Sequence, residues 1–151
     1  MSHREAAAAQ DAESLLGLDA LLSPTQREWQ ARARAVAAVI EETIDDDAEH
    51  HVFRREYIPL LAEAGLLGMH LTGYGCAGAD ATSYGLACYE LEAVDTSWRT
   101  FVSVQGSLAM SAIAKFGSEE QKQRWLPELA AGRARSEERR VGKECLRLCR
   151  S

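Results

Sequence analysis

Apolar residues recur every three or four positions along most of the stretch from Leu21 to Gly132. This spacing places them on one face of an α-helix, whose repeat is 3.6 residues. No segment shows a convincing alternation of apolar and polar residues, the pattern typical of a strand. The sequence therefore predicts an all-α domain of four or five amphipathic helices joined by short loops.

The first helix is predicted to begin at Pro24 and to run to about Asp47. Ser23 provides an N-cap before the first-turn proline, and an apolar face follows at Trp29, Ala33, Val36, Ile40 and Ile44. A second helix is predicted around Arg54–Ala64, with Gly65 as its stop. Because a proline lacks the backbone N–H, Pro59 should kink this helix or lie close to its start.

A third helix is predicted from Thr82 to about Val94, with Glu90 and Glu92 directed away from its apolar face. From about Ser97 to Lys115, apolar residues occur at nearly every angle around the helix axis. That distribution predicts a central helix that is buried on most sides.

The last helix is predicted to follow Gly117, because residues 118–121 (Ser-Glu-Glu-Gln) form a capping box. Trp125, Leu126 and Leu129 are expected to face inward, and Gly132 is a plausible stop. A break at Leu126 is possible because Pro127 follows it.

Charge and composition exclude several classes of partner. The formal net charge of −6 disfavours nucleic acid, and no apolar run reaches the roughly 20 residues that span a bilayer. The N-terminus lacks the features of a signal peptide, so a cytoplasmic location is predicted. Cys76 and Cys88 match no zinc pattern, and no metal site is expected.

The residues from 135 to 151 differ in kind from the rest of the chain. They contain six basic and three acidic residues, which leaves eleven basic and twenty acidic residues in 1–134. Back-translated with suitable codons, the run 135–145 resembles a short-read sequencing adapter. We therefore expect 135–151 to be an artefactual tail; a basic disordered tail is the alternative. Residues 1–20 are expected to form a flexible lead-in, and 21–134 the helical domain.

A resemblance to a known family rests on several motifs in combination. They are Gly-Tyr-Gly-Cys-Ala-Gly at 73–78, Phe-Gly-Ser-Glu-Glu-Gln-Lys at 116–122 and Trp-Leu-Pro at 125–127. Together they resemble the N-terminal helical domain of acyl-CoA dehydrogenases, and the segment 73–78 points to the glutaryl-CoA branch. The resemblance covers about 66–132, and a weaker similarity covers 21–64.

The resemblance implies a longer enzyme than the printed chain. Family members add a middle β domain and a C-terminal helical domain, bind FAD and acyl-CoA, pass electrons to a partner protein, and usually assemble as homotetramers. A glutamate base removes the α-proton, the flavin takes hydride, and loss of carbon dioxide gives crotonyl-CoA. That base is expected in the missing C-terminal domain, so the chain should be cut off before the chemistry and inactive alone. A stand-alone helical binding or docking module is the alternative.

Arg99 is the candidate site residue. A desolvated guanidinium is costly unless it is paired, and its planar fork suits a carboxylate. Spacing alone favours a different explanation, a solvent-facing arginine or an i,i+4 partner of Asp95. In glutaryl-CoA dehydrogenases, the matching Arg-Ser pair contacts the distal carboxylate of the substrate. The resemblance therefore implies that Arg99 and Thr100 bind this carboxylate, Thr100 with an added methyl group.

Overall fold

The fold is helical, as predicted, in the part of the chain that the structure describes. This computed structural model describes residues 17–135. The elements are a 3-10 helix (Leu18–Leu21), α1 (Pro24–Glu41), α2 (Ile44–His50), α3 (Tyr57–Glu63), β1 (Thr72–Gly73), β2 (Cys76–Ala77), α4 (Ala81–Val94), α5 (Thr96–Ser103), a π-helix (Val104–Met110), α6 (Ser111–Phe116) and α7 (Glu119–Ala130). The predictions for 1–16 and 136–151 lie outside the described residues.

Side-chain caps begin four of these helices. Ser23 forms a reciprocal capping box with Gln26 at the start of α1, and Ser118 forms the predicted box at the start of α7. Asp80 and Asp95 cap α4 and α5 through their carboxylates. Each cap gives a partner to N–H groups that have none within the helix, which fixes where the helix begins.

The predicted helix from Pro24 to about Asp47 is wrong in one respect, because it is two helices. α1 ends at Glu41 and α2 starts at Ile44. Between them, the Thr43 hydroxyl lies 2.9 Å from Asp47 Oδ2 and 2.7 Å from the Tyr57 hydroxyl. The apolar period continues across the break because Ile44 still packs on the core, so the pattern could not reveal the turn.

The break brings a carboxylate into the interior. Asp47 is buried, and both of its oxygens accept from Arg54 Nε at 2.7 Å. The hydrogen bond from Arg54 is the main reason that the pKa of Asp47 lies below its ordinary value. This pair therefore fastens α2 to the segment that leads into α3.

The second helix is shorter than predicted, and it starts at Tyr57 instead of Arg54. Pro59 is its third residue, in the first turn, where the missing N–H removes no intrahelical bond. The prediction that the helix starts close to Pro59 is confirmed. Gly65, at φ +76°, ends it, and Leu66 N–H donates to the Leu61 carbonyl.

One short hairpin lies within the helical fold, in a stretch where the sequence shows no convincing strand pattern. Thr72 pairs with Ala77 and Gly73 with Cys76, around the two turn residues Tyr74 and Gly75. Both turn residues have positive φ, 54° and 84°, as a type I′ turn requires. Strands of two residues carry no readable alternation. The Tyr74 hydroxyl donates to both oxygens of Glu119 at 2.9 Å, which ties the hairpin to α7.

Two hydrophobic clusters fill the interior. The larger is built from α1, α3, the segment 66–69, α4 and α5, and α1 packs along α4. The smaller consists of Met110, Leu126, Leu129 and Ala130, between the π-helix and α7. α7 runs through Pro127 without a break and is followed by Gly132 at φ +68°.

Glu90 was predicted to face away from the apolar side of its helix, and this is wrong. Its carboxylate is buried and accepts from Gln30 Nε2 at 2.9 Å and from Arg34 Nη2 at 2.7 Å and Nε at 2.9 Å. These donors come from α1, so the carboxylate is paired across the α1–α4 contact. The spacing of apolar residues within α4 cannot reveal a hydrogen-bond partner on α1.

Two predictions of burial are also wrong within the described range. The helical run from 97 to 116 is not buried on most sides, since Leu108 is 66% and Phe116 85% exposed. Trp125, expected to face inward, is 41% exposed, whereas Leu126 and Leu129 are buried as predicted. No helix of this range is both long and apolar enough to cross a membrane.

Candidate functional site

Arg99 lies in a row of polar side chains between α4 and the helices that follow it. We call the following residues the polar seam: Tyr84, Cys88 and Glu92 of α4, with Arg99 and Ser107 opposite them. On α4 the three residues are spaced by four, so they lie on one side of the helix. The seam connects the candidate site residue to groups that the sequence did not associate with it.

The partner of Arg99 is Glu92. Arg99 Nε donates to Glu92 Oε2 at 2.5 Å, and the arginine side chain is 33% exposed. Glu92 also accepts from the Thr96 hydroxyl at 2.9 Å. The hydrogen bond from Arg99 is the largest reason that the pKa of Glu92 is lowered, and Glu92 in turn raises the pKa of Arg99. The site thus contains a neutral ion pair.

Sequence spacing pointed to the wrong acidic neighbour. Asp95 is the N-cap of α5, and its Oδ1 accepts from the N–H groups of Ser97 and Trp98 at 2.8 and 3.2 Å. Its carboxylate is therefore committed to the helix start. Glu92 is seven residues before Arg99, across the junction of two helices, and no rule for pairs within one helix reaches it.

Thr100 directly follows Arg99 on α5 and is exposed. Consecutive helical residues leave the axis about 100° apart, so the two side chains diverge from their Cα atoms. The structure places the two residues on neighbouring parts of the surface. Their binding of a carboxylate stays a prediction.

The rest of the polar seam is linked by hydroxyl and ring contacts. The Tyr84 hydroxyl lies 3.2 Å from Ser107 Oγ, and its ring packs edge-on against His70, with centroids 5.3 Å apart. Burial raises the pKa of the Cys88 thiol, opposed by hydrogen bonding to Tyr84 and by the charge of Arg99. Tyr84, Cys88 and Arg99 therefore interact with one another electrostatically.

Metal ligands are not grouped in this region. Between residues 17 and 135, no cluster of three or more His, Cys, Asp or Glu side chains could hold a metal ion. Cys76 and Cys88 are free thiols. The histidines at 50 and 51 are exposed, and His50 interacts with Asp46 on the same helix.

An apolar groove lies on the side of the π-helix and α6 that faces α7. Its volume is about 530 Å³, and Phe116 and Trp125 are its aromatic lining residues. Gln121 and Arg135 contribute polar groups at its edge. The groove coincides with the surface that the sequence predicted to be buried.

Comparison with known proteins gives consistent results. Residues 23–133 match the family described as "Acyl-CoA dehydrogenase, N-terminal domain". An acyl-CoA dehydrogenase of Bacillus subtilis is 35% identical over 107 residues, which are 70% of this chain and 27% of that protein. A short-chain acyl-CoA dehydrogenase of Clostridium acetobutylicum is 35% identical over 100 residues, 66% of this chain and 24% of that protein.

Solved structures show the same fold. A glutaryl-CoA dehydrogenase of Mycobacterium smegmatis is 50% identical, with a TM-score of 0.80 over 83% of this chain and 33% of that one. A structure of such an enzyme from the same organism with FADH2 gives 48% identity and a TM-score of 0.77 over 80% and 32%. The chain spans about a third of these structures and about a quarter of the curated relatives. On these matches and this helical architecture, the chain belongs to the acyl-CoA dehydrogenase family, of which residues 23–133 are the N-terminal domain.

Proposed function

We propose that this domain belongs to an FAD-dependent dehydrogenase that oxidises and decarboxylates glutaryl-CoA to crotonyl-CoA. The two glutaryl-CoA dehydrogenase structures are 48% and 50% identical to the chain. A butyryl-CoA dehydrogenase from Megasphaera elsdenii is 27% identical, with a TM-score of 0.69 over 76% of this chain and 31% of that one. The higher identity supports a dicarboxylic acyl group over a simple one.

The observation that carries this proposal is the arrangement around Arg99. Glu92 binds the Nε edge of the guanidinium, and within residues 17–135 no acceptor lies on its two terminal nitrogens. Those nitrogens can donate two parallel hydrogen bonds to a carboxylate, in the two-pronged geometry that arginine favours. Glu92 orients the group, and the terminal nitrogens bind the distal carboxylate of glutaryl-CoA beside the Thr100 hydroxyl.

The terminal nitrogens of Arg99 also provide selectivity for the acyl group. An uncharged acyl chain has no carboxylate to accept from them. A distal carboxylate gains charge-assisted hydrogen bonds, which contribute about 1.5–3 kcal/mol each. The arrangement therefore favours a dicarboxylic acyl-CoA over a monocarboxylic one.

FAD is the cofactor of the full-length enzyme in this proposal, supported by the relative solved with FADH2. It accepts the hydride when bound. The groove of about 530 Å³ between α6 and α7 is mostly apolar and does not by itself match the pyrophosphate of a flavin dinucleotide. Flavin binding is assigned to the further domains, as is the glutamate base.

The remaining properties of the full-length enzyme are proposals of the same kind. They are a homotetrameric assembly, an electron-transfer partner and a cytoplasmic location. The alternative, a docking module without catalysis, is favoured by one observation, the exposure of Phe116 and Trp125 around the apolar groove. An activity measurement distinguishes the two functions.

The test uses a chimaera, in which residues 23–133 replace the matching part of the Mycobacterium smegmatis glutaryl-CoA dehydrogenase. Arg99→Leu should lower kcat/KM for glutaryl-CoA about 10- to 100-fold, the loss expected from one or two charged hydrogen bonds. It should change kcat/KM for butyryl-CoA less than about threefold. Arg32→Leu, on α1, is the matched control, since Arg32 pairs with the exposed Glu28 and should affect neither substrate.

Equal losses for both substrates in Arg99→Leu would overturn the carboxylate assignment. A folded chimaera without dehydrogenase activity on either substrate would favour the docking module instead. Arg99→Lys adds detail, because lysine keeps the charge and loses the planar fork. An intermediate loss for glutaryl-CoA is expected from that variant.

A further inference from the structure

The π-helix at Val104–Met110 is held by a hydrogen-bond relay that starts at a histidine outside it. His70 Nε2 lies 3.0 Å from Ser111 Oγ, and that hydroxyl donates to the Gly106 carbonyl at 3.0 Å. The Ser111 backbone N–H also donates to the Gly106 carbonyl, five residues earlier. Both bonds to Gly106 are therefore specific to the wide π turn.

The Ser111 hydroxyl discriminates between two helical registers. In an ordinary α-helix, a serine hydroxyl reaches the carbonyl four residues earlier, which here is residue 107. The observed acceptor is residue 106. A hydroxyl held in this direction thus favours the π turn over the α turn at the same residues.

The direction of the relay fixes the form of the imidazole. Ser111 uses its single hydroxyl hydrogen on Gly106, so its oxygen can only accept from His70. Nε2 of His70 must then carry the hydrogen, and Nδ1 has a bare lone pair. Nδ1 is buried and has no hydrogen-bond partner within residues 17–135, so a second proton there would have no acceptor.

The π turn packs directly against His70 and Gly68. A Cβ at Gly106 would lie 3.3 Å from His70 Cε1 and from the Cα and N of Gly68. A Cβ at Gly68 would lie 2.4 Å from Met110 Cε. Because Gly68 and Gly106 have no side chains, the backbone of the loop packs directly against the backbone of the π-helix, next to the relay.

The relay leads back to the polar seam. The ring of Tyr84 packs against His70, and its hydroxyl meets Ser107, a residue of the π turn. A change to the α register would rotate Ser107 by about 100° relative to α5, away from Tyr84. Tyr84 lies on the same side of α4 as Glu92, which binds Arg99, so the register of the turn acts on the side of α4 that carries the carboxylate site.

We propose that His70 is a positioning residue, whose Nε2–H tautomer holds the π turn through Ser111 and thereby fixes Tyr84 and Ser107 on the side of α4 that carries Glu92, the partner of Arg99. The role in substrate binding rests on the proposed function. The relay itself does not, because it can be measured in the 151-residue chain.

The first experiment determines the tautomer. Long-range ¹H–¹⁵N spectra of the histidine-labelled chain, assigned with His70→Gln, should show a protonated Nε2 and an unprotonated Nδ1 near pH 7. A proton on Nδ1, or on both nitrogens, would overturn the relay whatever the enzyme assay gives.

The second experiment measures positioning in the chimaera. Ser111→Ala and His70→Leu should each raise KM for glutaryl-CoA about tenfold, equivalent to about 1.4 kcal/mol, and change kcat less than about twofold. His70→Gln places an amide N–H near the position of Nε2 and should restore KM to within about twofold. Ser97→Ala, on the exposed side of α5, is the matched control.

An unchanged KM in both Ser111→Ala and His70→Leu, with Arg99→Leu still selective for glutaryl-CoA, would overturn the positioning role. Failure of Arg99→Leu to distinguish the substrates would instead count against the proposed function. Equal KM values for His70→Gln and His70→Leu would also contradict the proposal, because only the glutamine can donate to Ser111.

Discussion

The two hydrophobic clusters differ in how much of their surroundings this chain supplies. The larger cluster is enclosed by α1, α3, α4 and α5, and Leu61 and Leu91 are almost completely buried within it. The smaller cluster buries Met110 and Leu126 on one side, while Phe116 and Trp125 remain exposed around the groove. An apolar period predicts that a face will be covered, but it does not say which part of the protein covers it. The relatives that the chain matches are about three to four times as long as the matched stretch, and we expect their additional parts to cover the matching face.

Truncation of one side chain in each region should give the largest contrast. Leu61→Ala removes a fully buried side chain from the larger cluster and should lower the free energy of unfolding by about 2–5 kcal/mol. Phe116→Ala, at a side chain that is 85% exposed, should change it by less than about 0.5 kcal/mol. Urea unfolding of the two variants tests this, and similar losses would show that Phe116 is covered in solution.

A smaller contrast is expected between two glutamates of α4. Glu90→Ala leaves the buried amide of Gln30 without its acceptor and should cost about 1–3 kcal/mol. Glu92→Ala removes a partner from Arg99 at the surface, and its effect on stability should be clearly smaller. Chemical denaturation at neutral pH compares them. A greater loss for Glu92→Ala would mean that the polar seam is more important for the fold than the α1–α4 contact.

Acid should loosen the two regions in different pH ranges. Burial lowers the pKa of His70 below its ordinary value of 6.5, so the stability linked to its neutral form is present above that value and is lost as pH falls below it. The pKa of Asp47 lies below 3.8, chiefly through Arg54, and its contribution is lost only at lower pH. Tyr84 is the titratable group packed against the His70 ring among the described residues.

Hydrogen exchange at single amides measures this difference. Between about pH 7.5 and pH 5.5, protection at Met110 should fall more than protection at Leu91. In His70→Gln the pH dependence at Met110 should become flat. Equal changes at the two amides would show that the regions open as one cooperative unit.

The smallest expected signal is the flavin content of the chain on its own. Since the proposed function assigns flavin binding to the further domains, the purified 151-residue protein should be colourless. Visible absorption after incubation with FAD and gel filtration checks this. Stoichiometric retention of FAD would show that its binding surface lies within the chain. The groove beside the smaller cluster would then be occupied.

Local signals predicted the fold well, and long-range contacts were missed. The caps at Ser23 and Ser118 could be read from sequence because each lies within three residues of its partner. The break at Thr43 depends on Tyr57, and the pairing of Arg99 depends on Glu92 across a helix junction. Neither contact follows from the period of a single helix.

The site was predicted in part for the same reason. At helical spacing the sequence offered Asp95 alone as an acidic neighbour of Arg99, and the structure shows a partner, Glu92, that this spacing cannot detect. The π turn depends on His70, which lies 41 residues from Ser111. The wide turn changes the helical repeat at these residues, which an assumed α-helical period could not show.

The hydrogen bonds between the hairpin and α7 limit how residues 74 and 119 can change during evolution. A ladder of two residues on each strand is too short to be stable alone. Beside the backbone bonds from Gly78 to Leu71 and from Ala79 to Met69, the bonds of Tyr74 to Glu119 hold the hairpin against α7. Glu119 is also the first residue of α7. If residue 74 lost its hydroxyl, the carboxylate at 119 would lose its partner on the hairpin. Selection for a carboxylate there would then rest on the weaker preference of any helix start for a negative charge. The two positions, 45 residues apart, are therefore expected to change together among homologues.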